Sequence, residues 1–168
     1  SALTSPNDFI LVLAGKGHNG DDARAAAAQI AQRRVEVVRV QDPDTDVRTL
    51  REALARRPAL VIDGLFGIGL NRPLDGSWQS LIRVINESHR RVLALDVPSG
   101  LHADLGEPLG AAVSAELTVT LGAPKSGLLL WKAEPYVGRL EVEPDIGLVS
   151  CPLTGNLLWM LPQDFKGF

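Results

Sequence analysis

An α/β domain with a mainly parallel, doubly wound sheet is the architecture this sequence predicts, and three observations carry it. Two uninterrupted apolar runs, FILVLA over Phe9–Ala14 and VLAL over Val92–Leu95, read as strands covered on both faces, because a strand with one wet face alternates. Strand-like and helix-like patterns then alternate along nearly the whole chain, and right-handed crossovers stack such a series as a sheet between helical layers. With 168 residues and a 45% hydrophobic fraction, the chain suits one domain with a sizeable core.

The first run leads into Gly15-Lys16-Gly17-His18-Asn19-Gly20-Asp21-Asp22. Its glycines match G-x-G-x-x-G between a strand and a helix, the setting in which backbone N–H groups can approach a pyrophosphate. Asp21 and Asp22 oppose that reading, since two carboxylates repel an anion laid against them. Asp22 is the expected N-cap of an alanine-rich helix over residues 23–34. A strand over residues 35–40 follows. Asp42, about 20 residues beyond the last loop glycine, stands where a dinucleotide fold holds an acid against the ribose, but the polar stretch around it favours a turn residue.

Val47, Leu50 and Leu54 share a helical face, and Pro58 should end that helix. A short strand over residues 59–62 runs into Asp63. The segment 64–73, GLFGIGLNRP, is too glycine-rich for a helix and too apolar for a free linker, which suits a loop folded over a ligand with Phe66 or Leu70 packed beneath it. Trp78, Leu81, Ile82 and Ile85 repeat at helical spacing and return the chain to the second apolar run. That run stops at Asp96 and turns through Val97, Pro98, Ser99 and Gly100. A carboxylate at a strand's carboxyl end sits where open α/β sheets bind ligands, and it can equally cap the turn with a side-chain oxygen. Residues 101–106 read as an irregular loop, residues 117–121 as a strand, and residues 138–142 as an alternating strand near an edge. Lys125 reads as a surface lysine, though it falls at the same sheet edge as the glycine loop, Asp63 and Asp96.

A formal net charge of -3 with scattered basic residues argues against a nucleic-acid or membrane-surface partner. Cys151 is the only cysteine, so no internal disulfide forms and a cytoplasmic setting is expected. His18, His89 and His102 show no zinc-site spacing with Cys151. Residues 1–8 lack a signal-peptide pattern, no apolar run is long enough to span a bilayer, and the chain does not open on Met, which reads as processing or trimming.

Four motifs in order, AGKGHNGDDA, VIDGLFGIGLNRPL, LALDVPSGLHADLGE and LTVTLGAPKSGLL, resemble those of the YjeF N-terminal domain family, the NAD(P)H-hydrate epimerases. The resemblance runs over about residues 9–148. It implies a Rossmann-like three-layer αβα sandwich, commonly a homodimer, that interconverts the R and S epimers of hydrated NADH and NADPH (NAD(P)HX) at C6. It further implies a potassium ion held by Asn19, Asp63 and Ser99, and Asp96 as both substrate ligand and acid/base group. Substrate contacts would come from His18, Asn19, Gly20, Asp21 and Asp22 in the first loop. Further contacts would come from Gly67, Ile68, Gly69, Leu70, Asn71, Arg72 and Pro73 in the second loop.

Two departures from the family stand out. Asp21 and Ala23 replace glycines, and few residues precede the first strand where relatives carry helices. Residues 150–168 resemble the start of a junction to an ADP- or ATP-dependent dehydratase, which would make the chain one domain of a bifunctional protein. Two other functions stay open: a YjeF-like binding or scaffold module, favoured by the altered first loop, and an NAD-dependent oxidoreductase, favoured by Gly15, Gly17, Gly20 and Asp42.

Overall fold

The computed structural model describes residues 3–147, and the segment read as a dehydratase junction, together with Cys151, lies outside them. Six strands form one all-parallel sheet in the order β2-β1-β3-β4-β5-β6. They are β1 (Phe9–Ala14), β2 (Arg34–Arg39), β3 (Leu60–Gly64), β4 (Val92–Leu95), β5 (Leu117–Leu121) and β6 (Arg139–Glu143). The chain starts in the middle of the sheet, winds outward to β2, then crosses back over β1 to build the other half. This reversal is the doubly wound switch point, and it opens a crevice beyond the carboxyl ends of β1 and β3.

The apolar runs are explained by what covers them. On β1, Phe9, Leu11 and Leu13 face α2 (Pro43–Ala55) and α3 (Gly76–Glu87) in one core with Leu50, Leu54, Leu81 and Ile85. Ile10 and Val12 point the other way, against Ala23 and Ala27 of α1 (His18–Gln29). Each large aliphatic side chain buried this way contributes about 1.5–3 kcal/mol. A third cluster, including Val97, Leu101, Leu128 and Val137, packs the loop after β4 against two short 3-10 turns and the four-residue α4 (Glu134–Val137). The edge strand β6 alternates exposed Arg139, Glu141 and Glu143 with half-buried Leu140 and Val142, as its sequence foretold.

One boundary differs from the sequence reading. The first helix begins at His18, five residues earlier than expected, and its N-cap is Gly17 rather than Asp22. Asn-Gly-Asp-Asp looks like turn chemistry locally, but Gly20 lets the first helical turn lie directly on β1's exit. A Cβ there would sit 2.0 Å from the Gly15 carbonyl oxygen. Tertiary packing overrides local preference. Asp42 does cap a helix, accepting a hydrogen bond from the Asp44 N–H at 3.0 Å, and α2 stops short of Pro58 as expected.

Candidate active site

Beyond the carboxyl ends of the strands lies a cavity of about 860 Å³. Its walls come from the start of α1 (Lys16, Gly17, His18, Asn19, Asp22), the loop after β3 (residues 65–70 and Arg72), and Trp78 of α3. The remaining wall holds Asp96, Leu121, Ala123, Lys125 and Ile146. Phe66 meets Trp78 edge-on, centroids 4.6 Å apart, so the glycine loop rests on an aromatic base. Of the expected substrate residues, His18, Asn19, Asp22, Gly67, Ile68, Gly69, Leu70, Arg72 and Asp96 line this cavity.

Four others do not. Gly20 is buried against Gly15, Asp21 is drawn away into an ion pair with Arg24, and Asn71 and Pro73 lie exposed beyond the loop's inner face. Asp21 also carries no positive φ: it stands inside the first helical turn, so replacing a glycine with aspartate there distorts no backbone. Its charge, feared as a repellent to anions, is taken up by Arg24, with His18 Nδ1 3.9 Å away.

Asp63 is fully buried on β3. Its Oδ1 accepts from the Ser99 hydroxyl at 2.6 Å and the Leu65 N–H at 3.2 Å, and its Oδ2 accepts from the Ser99 N–H at 2.8 Å. Burial pushes its pKa above the ordinary carboxylate value, against the pull of the two Ser99 donors and the Leu65 N–H. None of these partners is cationic. Close by, the Asn19 side-chain amide donates to the Phe66 carbonyl at 2.8 Å and the Leu95 carbonyl at 3.1 Å. The three residues expected as metal ligands are thus brought together by β3, the turn after β4 and the first turn of α1. The donors around them are oxygens: a carboxylate, a hydroxyl and main-chain carbonyls. That set suits a hard cation, whose charge would compensate a buried carboxylate lacking a basic partner.

Asp96 ends β4 in the left-handed region at φ 67°, a conformation that aspartate tolerates better than most residues. Its N–H stays in the sheet, donating to the Val119 carbonyl at 2.8 Å, while the turn aims its side chain into the cavity. Oδ1 accepts from the Leu121 N–H at 3.0 Å, from the Thr120 hydroxyl at 3.3 Å and from the Lys125 ammonium. Lys125, read from sequence as a surface residue, is instead only 17% exposed and held in place by the Thr120 hydroxyl at 3.2 Å and the Leu121 carbonyl at 2.9 Å. No local pattern marks it, because its partner lies 29 residues upstream. The one available hint was its place just past a strand that ends on the same edge as β4.

The molecule is a parallel α/β domain with a cleft at its topological switch point, equipped with one buried and one lysine-paired carboxylate. The profile of the family described as YjeF-related protein N-terminus matches residues 39–127. Over 156 residues the chain is 35% identical to an NAD(P)H-hydrate epimerase of Limosilactobacillus fermentum, covering 82% of this chain and 75% of that one. Over 161 residues it is 43% identical to an NAD(P)H-hydrate epimerase of Bordetella pertussis, covering 80% and 71%. It is 37% identical over 153 residues to the bifunctional NAD(P)H-hydrate repair enzyme Nnr of Thermosynechococcus vestitus, covering 81% of this chain and 30% of that protein. The crystal structure of yeast ynu0 superposes with a TM-score of 0.62 at 18% identity, over 76% of this chain and 63% of the yeast chain, which shows a shared fold. The chain belongs to the YjeF-related N-terminal family. Among the described residues, no helix is long and apolar enough to cross a membrane.

Proposed function

We propose that the chain is an NAD(P)H-hydrate epimerase that interconverts the R and S epimers of hydrated NADH and NADPH. The observation that carries the reading is Asp96, a carboxylate fixed on a rigid strand end, facing the cavity and braced on one oxygen by Lys125, Thr120 and the Leu121 amide. Relatives bearing the epimerase name cover most of the chain.

Inverting a hydroxyl-bearing carbon beside a ring nitrogen requires reversible proton transfer, whether hydroxide leaves and returns or the ring opens and recloses. A positioned carboxylate can take and return that proton. Lys125 keeps Asp96 aimed and offsets its charge, so the pair can lie against the dihydronicotinamide without a net negative floor. The loop over residues 67–70, on its Phe66–Trp78 base, lines the cavity and would lie against the bound nucleotide.

A potassium ion would be held by Asp63, Ser99 and Asn19, the latter through its side-chain oxygen. When bound, the ion supplies positive charge that neutralises the Asp63 carboxylate and attracts the electron-rich substrate. The chain's own contribution is to orient the Asp63 carboxylate through the two Ser99 donors and the Leu65 N–H. We further propose a cytoplasmic homodimer acting with an ADP- or ATP-dependent dehydratase, which would consume one epimer. The scaffold reading loses its support because Asp21 sits in undistorted helix. The oxidoreductase reading loses Asp42 to helix capping.

The test is chromatographic. One pure epimer of hydrated NADPH is incubated with the chain and potassium, and appearance of the other is compared with the spontaneous rate. Acceleration is expected, falling at least about 100-fold in Asp96→Asn. A folded wild-type chain that fails to accelerate the interconversion refutes the assignment.

A further inference from the structure

A second concavity, of about 160 Å³, adjoins the main cleft and is lined by Gly15, Lys16, Arg24, Arg39 and Gln41. Lys16 lines both, which sets the hollow beside the cleft. Three of its five residues are cationic. The sheet brings them together: Arg39, last residue of β2, pairs in register with Ala14, which places it beside the exit of β1 and the Lys16 turn. Arg24 reaches the same hollow from the second turn of α1. Arg24 gives one guanidinium nitrogen to Asp21. Asp46 is a further acid at this end, where its carboxylate accepts from the Gln41 and Asp42 N–H groups.

In dinucleotide-binding α/β folds, the end of the second strand decides between the two forms of the cofactor. An acid there hydrogen-bonds the adenosine ribose diol and repels a 2′-phosphate, whereas arginine accepts the phosphate. Here the acid available by spacing, Asp42, is turned onto the N-terminus of α2. Arg39 and Lys16 stand at the strand end instead, exposed and without an ion-pair partner among the described residues.

We propose that Lys16, Arg24 and Arg39 form a subsite for the 2′-phosphate of an adenosine ribose, so that the enzyme selects the phosphorylated dinucleotide hydrate over its unphosphorylated counterpart. This rests on the epimerase reading for the identity of the substrate, but not for the existence of the subsite. A planar guanidinium with two forward-facing donors, beside a flexible ammonium, fits a phosphate monoester better than a hydroxyl pair.

Calorimetric titration of the full chain with adenosine 2′,5′-bisphosphate and with 5′-AMP tests it. The bisphosphate should bind about tenfold more tightly, the step expected for a charge-assisted contact. In Arg39→Gln that advantage should vanish while 5′-AMP binding stays unchanged. Equal binding of the two nucleotides by the wild type, or binding of neither, overturns the proposal. In the epimerisation assay, Arg39→Gln should lower kcat/KM for hydrated NADPH and leave hydrated NADH alone. An equal fall for both would place the substrate's pyrophosphate in the hollow and also overturn it. A chain that discriminates the nucleotides yet epimerises neither hydrate would keep the subsite and refute the epimerase.

Discussion

Replacing Gly20 with alanine tests one of the tightest backbone approaches at a glycine among the described residues. A Cβ at Gly20 would lie 2.0 Å from the Gly15 carbonyl oxygen and 2.7 and 2.8 Å from the Gly15 carbon and nitrogen. These are main-chain atoms at the exit of the central strand, so no side chain can swing aside, and the helix must retreat by about 1 Å. Overpacking of this kind costs about 1–3 kcal/mol, and the rigid partner places it near the top of that range. Alanine's better helix propensity returns up to about 1 kcal/mol. The net loss is about 2 kcal/mol, which for a domain of this size lowers Tm by about 4–8 °C. Retreat of α1 also pulls Asn19 from the Phe66 and Leu95 carbonyls, so epimerisation should fall with stability. Gly17→Ala is the control: it sits one turn earlier at φ -91°, and nothing lies within 4 Å of an added Cβ. It should change Tm by no more than about 2 °C. Thermal unfolding followed by circular dichroism reads both variants. If Gly20→Ala melts with the wild type, or above it, the close-approach account of the early helix start is wrong.

Asp63 carries a pH signature. Its folded pKa is raised by burial, so without potassium the stability it contributes is fully present below the unfolded carboxylate value and is lost as pH rises through the folded one. In potassium-free buffer, the Tm of the wild type relative to Asp63→Asn should therefore fall as pH climbs from acid towards neutral. Added potassium should restore it at neutral pH, and a pH-independent difference would refute the buried-charge account. Asp46, Glu107 and Glu116, whose pKa values are lowered, act with the opposite sign in both proteins and cancel in the comparison. Lys125→Met should lower kcat by about 100-fold with little change in Tm, because Asp96 loses the ammonium that holds it in place. An unchanged kcat would reduce Lys125 to a packing role.

What the sequence made legible follows physical locality. β1 and β4 declared themselves because burial on both faces leaves no polar position, a property visible within six residues. Asp63 and Asp96 were readable as acids at strand ends, which parallel strands deliver to one edge, whereas Ser99 entered only through the family resemblance. Lys125 was not, since its meaning depends on β5 lying beside β4 and on a turn that folds it back onto Asp96. The start of α1 was misread because the decisive contact, Gly20 on Gly15, is a matter of backbone distance that no residue preference encodes. The cationic hollow was invisible for a similar reason: Lys16, Arg24 and Arg39 meet only once β2 has paired with β1.

The amide of Asn19 ties the entrance of α1 to the loop after β3 and to the end of β4. Asparagine followed by glycine is the dipeptide most prone to spontaneous deamidation, through attack of the next main-chain nitrogen on the side-chain carbon. Here that nitrogen is occupied, the Gly20 N–H donating to the Gly17 carbonyl at 2.9 Å, and the amide is pinned by two acceptors. Folding thus shelters the bond that ageing would otherwise break first. A chain that spends time unfolded would return with a carboxylate facing two carbonyl oxygens, and the helix entrance, the loop and the strand end would no longer be joined.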